Sequence, residues 1–147
     1  MGQVVPSIEL IAPAKLTLSL RVTGVRADGY HLIDAEMVSL ELADVIRITD
    51  SDSTSIVVSG PFAEGVPTDA TNLIARALQR IGRTAHVEVV KNIPNGGGLG
   101  GGSSNAAAVL RWAGCTDLEL GALIGADVPY CMLGHRARVR GIGETVE

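Results

Sequence analysis

The sequence predicts an α+β domain in which strands come in runs and a few helices cover one face of the sheet. Three observations carry this. The chain has 147 residues, the size of one domain with one core. Its composition, 46% hydrophobic with a mean hydropathy of +0.30, is far from that of a disordered chain. Segments with period-two alternation outnumber those with helical spacing, which favours α+β over a doubly wound sheet. No repeat, charge block or Pro/Ser linker divides the chain, so one domain over residues 1–147 is expected.

The elements follow in order. KLTLSLRV alternates with period two, which predicts a strand over 15–22 with Leu16, Leu18, Leu20 and Val22 on the core and Lys15, Thr17, Ser19 and Arg21 facing away. Asp28-Gly29 marks a turn, and HLIDAEMVSLEL runs on as a second strand. DVIRIT and STSIVVSG are two more, rich in β-branched residues. TNLIARALQRIG carries Leu73, Ala77, Leu78 and Ile81 at helical spacing, with Gly82 as its stop. HVEVVKNI is a strand. SSNAAAVLRWAG is a helix with Ser103, Ser104 or Asn105 as its cap and Gly114 as terminator. TDLELGALIG is a short helix, and YCML and RARVRG are late strands.

Six glycines fill residues 96–102, between a predicted strand ending at Ile93 and a predicted helix beginning near Ser103. Glycine admits positive φ and removes the Cβ that keeps an anion at a distance, and a helix N-terminus attracts negative charge. This stretch is therefore a candidate phosphate cradle, with the Ser103 and Ser104 hydroxyls at its edge, rather than an interdomain linker. It is not a P-loop, because the chain has no Gly-Lys pair. Gly96, Gly98 and Gly101 satisfy G-x-G-x-x-G, but the residue about 20 positions on, Asp117, opens a helix instead of closing a second strand. The protein-kinase motifs HRD and DFG are absent.

The net charge of −4 and pI near 5.3 speak against a nucleic-acid backbone as partner. The N-terminal segment has no basic stretch, and no apolar run approaches the ~20 residues of a membrane span, so a cytoplasmic protein is expected. Cys115 and Cys131 lack metal-site spacing and read as reduced core residues. Lys15 and Asp127 stand out beside the glycine stretch. Each alone reads as a surface lysine or a turn aspartate, but phosphoryl transfer needs charge neutralisation and a group that accepts the hydroxyl proton.

Together APAKLTLSLRVTGVRADGYH, IPNGGGLGGGSSNAA and GADVPYCMLGHRARVRGIGE resemble the GHMP kinase superfamily, on almost the whole chain and with three motifs in order. RADGYH and GADVP narrow the resemblance to its branch acting on diphosphocytidyl methylerythritol in the non-mevalonate isoprenoid route. The resemblance implies a ribosomal protein S5 domain 2-like fold and the amino-terminal, ATP-binding domain of such a kinase, working with Mg²⁺. It implies an ATP phosphate loop of Pro94, Asn95, Gly96, Gly97, Gly98, Leu99, Gly100, Gly101, Gly102, Ser103 and Ser104, with Asn72 and Lys91 lining the nucleotide pocket. Asp127 would take the proton from the substrate alcohol, and Lys15 would orient that alcohol. Thr17 would lie at the substrate, and Tyr30 and His31 would recognise its cytosine by stacking and hydrogen bonding. The family's carboxy-terminal domain is expected to be absent from this chain, that domain or a second copy covering the open face.

Two local departures accompany the resemblance: Thr17 stands where the family has Asn, and the segment between AAAVL and GADVP is shorter. A displacement of ~1 Å at a reacting group lowers rate about 100-fold, so an intact enzyme and a nucleotide-binding domain without catalysis both remain open. A dinucleotide-dependent oxidoreductase is a third, weaker reading.

Overall fold

A computed structural model of the chain describes residues 6–147; the first five residues of the expected domain lie outside the described residues. In chain order the elements are β1 (Ser7–Val25), β2 (His31–Asp50), β3 (Ser55–Ser59), α1 (Leu73–Arg80), β4 (Ala85–Val90), α2 (Gly101–Trp112), α3 (Leu118–Ile124), α4 (Val128–Leu133), β5 (Ala137–Gly141) and β6 (Thr145–Val146). The architecture is α+β, as expected, with one mixed sheet and a helical layer.

β2 is the centre of the sheet. β1 pairs antiparallel along one edge of it, from Ser7 opposite Thr49 to Val25 opposite His31, and the turn between them uses Gly29 at φ +90°. The other edge is shared by two strands: β4 takes residues 45–50 and β5 takes 33–37. Between them a stretch of β2 has no strand partner on that side, and the loop leaving β4 and helix α4 both come to this gap. The Asp44 carboxylate accepts from the backbone N–H of Asn92 and Ile93, and the Ser39 and Tyr130 hydroxyls lie 3.1 Å apart. β3 runs parallel to β4 through the α1 crossover, and β6 closes against β5.

The core lies between the sheet and the helices. Ile46, Ile48, Val87 and Val89 meet Ile74, Leu78, Val109 and Leu110, all nearly inaccessible. Each such side chain contributes roughly 1.5–3 kcal/mol by leaving water. Helix α2, buried from Ser104 to Leu110, is the hub of the helical layer and packs on α1, α4 and β1. Its AAAVL run is apolar on every side because every side is covered. Among the described residues, no helix is long and apolar enough to cross a membrane.

The structure corrects four sequence expectations. Leu16, Leu18, Leu20 and Val22 are exposed, Leu20 and Val22 at 58% each, whereas Lys15 is 6% accessible. β1 is an edge strand, and the helices lie over the face that carries Lys15 and Thr17. A bulge between Thr17 and Ser19 then shifts the alternation, so Leu20 and Val22 lie opposite Ala35 and Ile33 on the same face as Lys15 and Thr17, yet both remain exposed on this edge strand. HLIDAEMVSLEL and DVIRIT are one strand, β2, not two. YCML is helical: Pro129 sits at the start of α4, where its fixed φ favours a first helical turn. Helix α2 begins at Gly101 with Gly100 as cap, so Ser103, Ser104 and Asn105 lie inside the helix instead of capping it.

Candidate active site

Glycine chemistry shapes the loop between β4 and α2. Gly96, Gly98 and Gly100 have φ of +75°, +72° and +68°, while Gly97 and Leu99 stay outside the left-handed region. An alternation of this kind is the backbone pattern that can gather successive N–H groups around an anion. A Cβ on Gly96 or Gly98 would meet nothing within 4 Å, so the loop is open where a ligand would sit. Two hydrogen bonds fix its course: Asn95 Nδ2 donates to the Phe62 carbonyl at 2.9 Å, and the Lys15 backbone N–H donates to the Leu99 carbonyl at 2.8 Å.

The second bond brings β1 to the loop. Lys15 Nζ lies 3.5 Å from Asp127 Oδ2 and donates to Thr17 Oγ1 at 2.9 Å. The shortened segment before Gly125 therefore still delivers Asp127 to Lys15, and Thr17 gives the ammonium an acceptor. Asp127 caps α4 without spending its side chain on a capping hydrogen bond, which leaves the carboxylate for other partners. Burial, with the Asp127 carboxylate adding to it, pushes the Cys131 thiol up to about 12. Both cysteines are free, Cys131 buried and Cys115 half-buried.

Lys91 and Asn72, expected at the wall of the nucleotide pocket, are committed elsewhere. Lys91 is 2% accessible; its ammonium donates to Asp44 Oδ2 at 2.6 Å and to Asn105 Oδ1 at 3.0 Å. The Asn72 side chain caps α1 by accepting from the Ile74 N–H and donates to the Pro67 carbonyl. Sequence reasoning missed Asp44. It lies between two apolar strand-like runs that are in fact one strand, and its partners lie far along the chain, so no local pattern marked it. Breaking a buried ion pair by deleting one member costs about 3–5 kcal/mol.

The remaining expected residues are not brought to this centre. Tyr30, 60% accessible, and His31 sit at the far end of the β1–β2 hairpin, ten residues along β1 from Lys15, with the Arg26 guanidinium 5.3 Å over the Tyr30 ring. Bulges at 13–15, 17–19 and 22–24 bend the hairpin between the two places. Ser104 is buried and its hydroxyl has no partner; it borders a cavity of about 280 Å³ with Pro13, Ser39 and Tyr130, not the open side of the loop. A larger cleft, about 480 Å³, is lined by Arg21, Asp34, Glu36, Arg136 and Arg138, whose charges pair as Arg21 and Arg138 with Asp34 and Arg136 with Glu36.

The model of the GHMP kinases N-terminal domain matches residues 68–135, which hold the loop and Asp127. The chain carries a GHMP kinase N-terminal domain over those residues. It is similar to two proteins named 4-diphosphocytidyl-2-C-methyl-D-erythritol kinase. One, from Paracoccus denitrificans, is 47% identical over 90% of this chain and 48% of its own length. The other, from Jannaschia sp., is 45% identical over 92% of this chain and 51% of its own length. A crystal structure of 4-(cytidine 5'-diphospho)-2C-methyl-D-erythritol kinase superposes with a TM-score of 0.72 at 36% identity, covering 95% of this chain and 54% of that one. A homoserine kinase from Cytophaga hutchinsonii, at 20% identity and TM-score 0.56, shares the fold. This GHMP kinase domain spans about half the length of the curated relatives it matches.

Proposed function

We propose that the chain is the amino-terminal, ATP-binding half of a 4-diphosphocytidyl-2-C-methyl-D-erythritol kinase, which phosphorylates the 2-hydroxyl of that substrate. The observation that carries the reading is the Lys15–Asp127 contact at 3.5 Å, joined to the glycine loop through the Lys15 N–H to Leu99 carbonyl bond. The loop from Pro94 to Gly100 would seat the nucleotide phosphates on its N–H groups, with the first turn of α2 adding its unsatisfied donors. ATP supplies the phosphoryl group that is transferred. Asp127 would accept the proton of the attacking alcohol as the oxygen turns nucleophilic. Lys15, held by Thr17, would orient that oxygen.

The residues fit ATP, since a Cβ on Gly96 or Gly98 would project into open space. Mg²⁺ needs no protein cage; one or two carboxylates with phosphate oxygens suffice, and Asp127 is the carboxylate beside the loop. Lys91 and Asn72 would support the nucleotide pocket from below, through α2 and α1, without touching the ligand. Tyr30 and His31, at the far end of the hairpin, would hold the cytosine.

A second reading, nucleotide binding without independent turnover, is favoured by the coverage of only about half of each relative. An ADP-release assay with the diphosphocytidyl substrate, alongside calorimetric ATP binding, separates the two. Turnover is expected to fall about 100-fold or more in Asp127→Asn, with ATP affinity retained. Undiminished turnover in that variant removes Asp127 as the base. ATP binding with no turnover selects the second reading, and binding of NADH but not ATP overturns both.

A further inference from the structure

We propose that Asp44 is a positioning residue for the glycine loop, one buried carboxylate that fixes both ends of the loop and holds the Lys91 ammonium beneath its helical end. The inference rests on the loop being the seat of the nucleotide phosphates.

Asp44 is 0% accessible, so it acts only through what it holds. Its Oδ1 accepts from the backbone N–H of Asn92 at 2.7 Å and of Ile93 at 2.9 Å, the two residues that lead into Pro94. Its Oδ2 accepts from Asn105 Nδ2 at 2.9 Å and from Lys91 Nζ at 2.6 Å. Asn105 lies in the first turns of α2, just past the glycines. One side chain thus ties the entry and the exit of the loop to the same point of β2, at the gap between β4 and β5.

The loop needs such a tie. A run of glycines has no side chains to pack and more backbone freedom than any other sequence, so its shape must be set from its ends and from a few pins. Charge adds a second effect. Lys91 Nζ lies 3.1 Å from where a Cβ on Gly101 would be, directly under the first residue of α2. The positive end of the Asp44–Lys91 pair therefore adjoins the helix N-terminus, whose free N–H groups already favour an anion. Asp44 neutralises the ammonium from the other side and keeps it there.

The test is calorimetric binding of ATP and of adenosine to the 147-residue chain, with urea unfolding as a check on folding. A positioning role for the phosphate loop weakens ATP and spares adenosine; a general loss of structure weakens both. In Asp44→Asn the ATP-over-adenosine preference is expected to fall about tenfold or more, since charge-assisted hydrogen bonds at the loop ends are lost. Asn105→Ala keeps the Asp44–Lys91 ion pair but frees the helix end and removes one acceptor of the Lys91 ammonium; about a threefold fall is expected there. A folded Asp44→Asn chain with unchanged preference overturns the inference and leaves the loop reading standing. If Asp44→Asn does not fold, Asn105→Ala decides, an unchanged preference again overturning it. A wild-type chain that does not prefer ATP to adenosine removes the loop reading, and the inference with it.

Discussion

A Cβ built on Gly100 would lie 2.9 Å from Cγ of Lys15, and the residue has φ +68°. Gly96 has a similar φ, +75°, but open space around it. The two glycines thus separate backbone strain from contact. Gly96→Ala is expected to lower stability by about 1–2 kcal/mol through φ alone. Gly100→Ala should lose a similar amount and also displace Lys15, so its turnover should fall well beyond that of Gly96→Ala; urea midpoints and kinetics on the two variants check this. Lys15 and Asp127 stood out in the sequence because their residue types match the chemistry of phosphoryl transfer, and the structure places them in contact. Asp44 did not, since only the pairing of β2 with β4 makes its neighbours the N–H groups of 92 and 93. Lys91 was recognised as important, but its burial depends on a contact 47 residues away in the chain.

Among the elements, the β5–β6 turn bears on Asp127 most directly. Gly143 has φ +117°, and a Cβ there would lie 2.1 Å from the carbonyl oxygen of Ala126, the residue before Asp127. The GIGE turn is therefore a backstop for the segment that carries the candidate base. Gly143→Ala is expected to lower kcat while leaving the KM for ATP near its wild-type value, because the loop is held by other contacts; steady-state kinetics separate the two. Element types were read well where local pattern and tertiary environment agree, as in α1 with its Asn72 cap and in β4. They were misread where neighbours decide. YCML has strand-like composition but follows the capping Asp127 and Pro129, so it completes a helical turn. The leucines of β1 alternate as a buried strand would, yet on this edge strand they remain exposed on both sides of the bulge.

At the scale of the molecule, charge stitches three strands together. The Arg138 guanidinium, and secondarily that of Arg21, holds the Asp34 carboxyl well below the usual carboxylate range, joining β5 and β1 across β2. Folding therefore favours the ionised form. The contribution is present above the unfolded value near 4 and is lost as the pH falls through it toward the lower folded value. Wild-type stability should drop relative to Asp34→Asn as the pH is lowered from about 6 to about 3, the urea midpoints converging; a constant difference across that range would show that the pair contributes nothing pH-dependent. The fold class was legible at this scale because period-two segments outnumber helical ones. The branched pairing of β2 was not, since no local pattern records that two strands share one edge.

That shared edge also orders events in time. β2 is complete once Asp50 has been made, but the strands that fill its second edge end at Val90 and Gly141. At about 5–20 residues per second, a ribosome needs roughly 5–20 seconds to travel from the end of β2 to the end of β5. Until β4 is made the gap that will hold the glycine loop has neither flank, and until β5 is made it has only one, while the nascent hairpin carries an unpaired edge and an apolar surface. The candidate site is therefore complete only once β5 has reached β2, a strand made long before it.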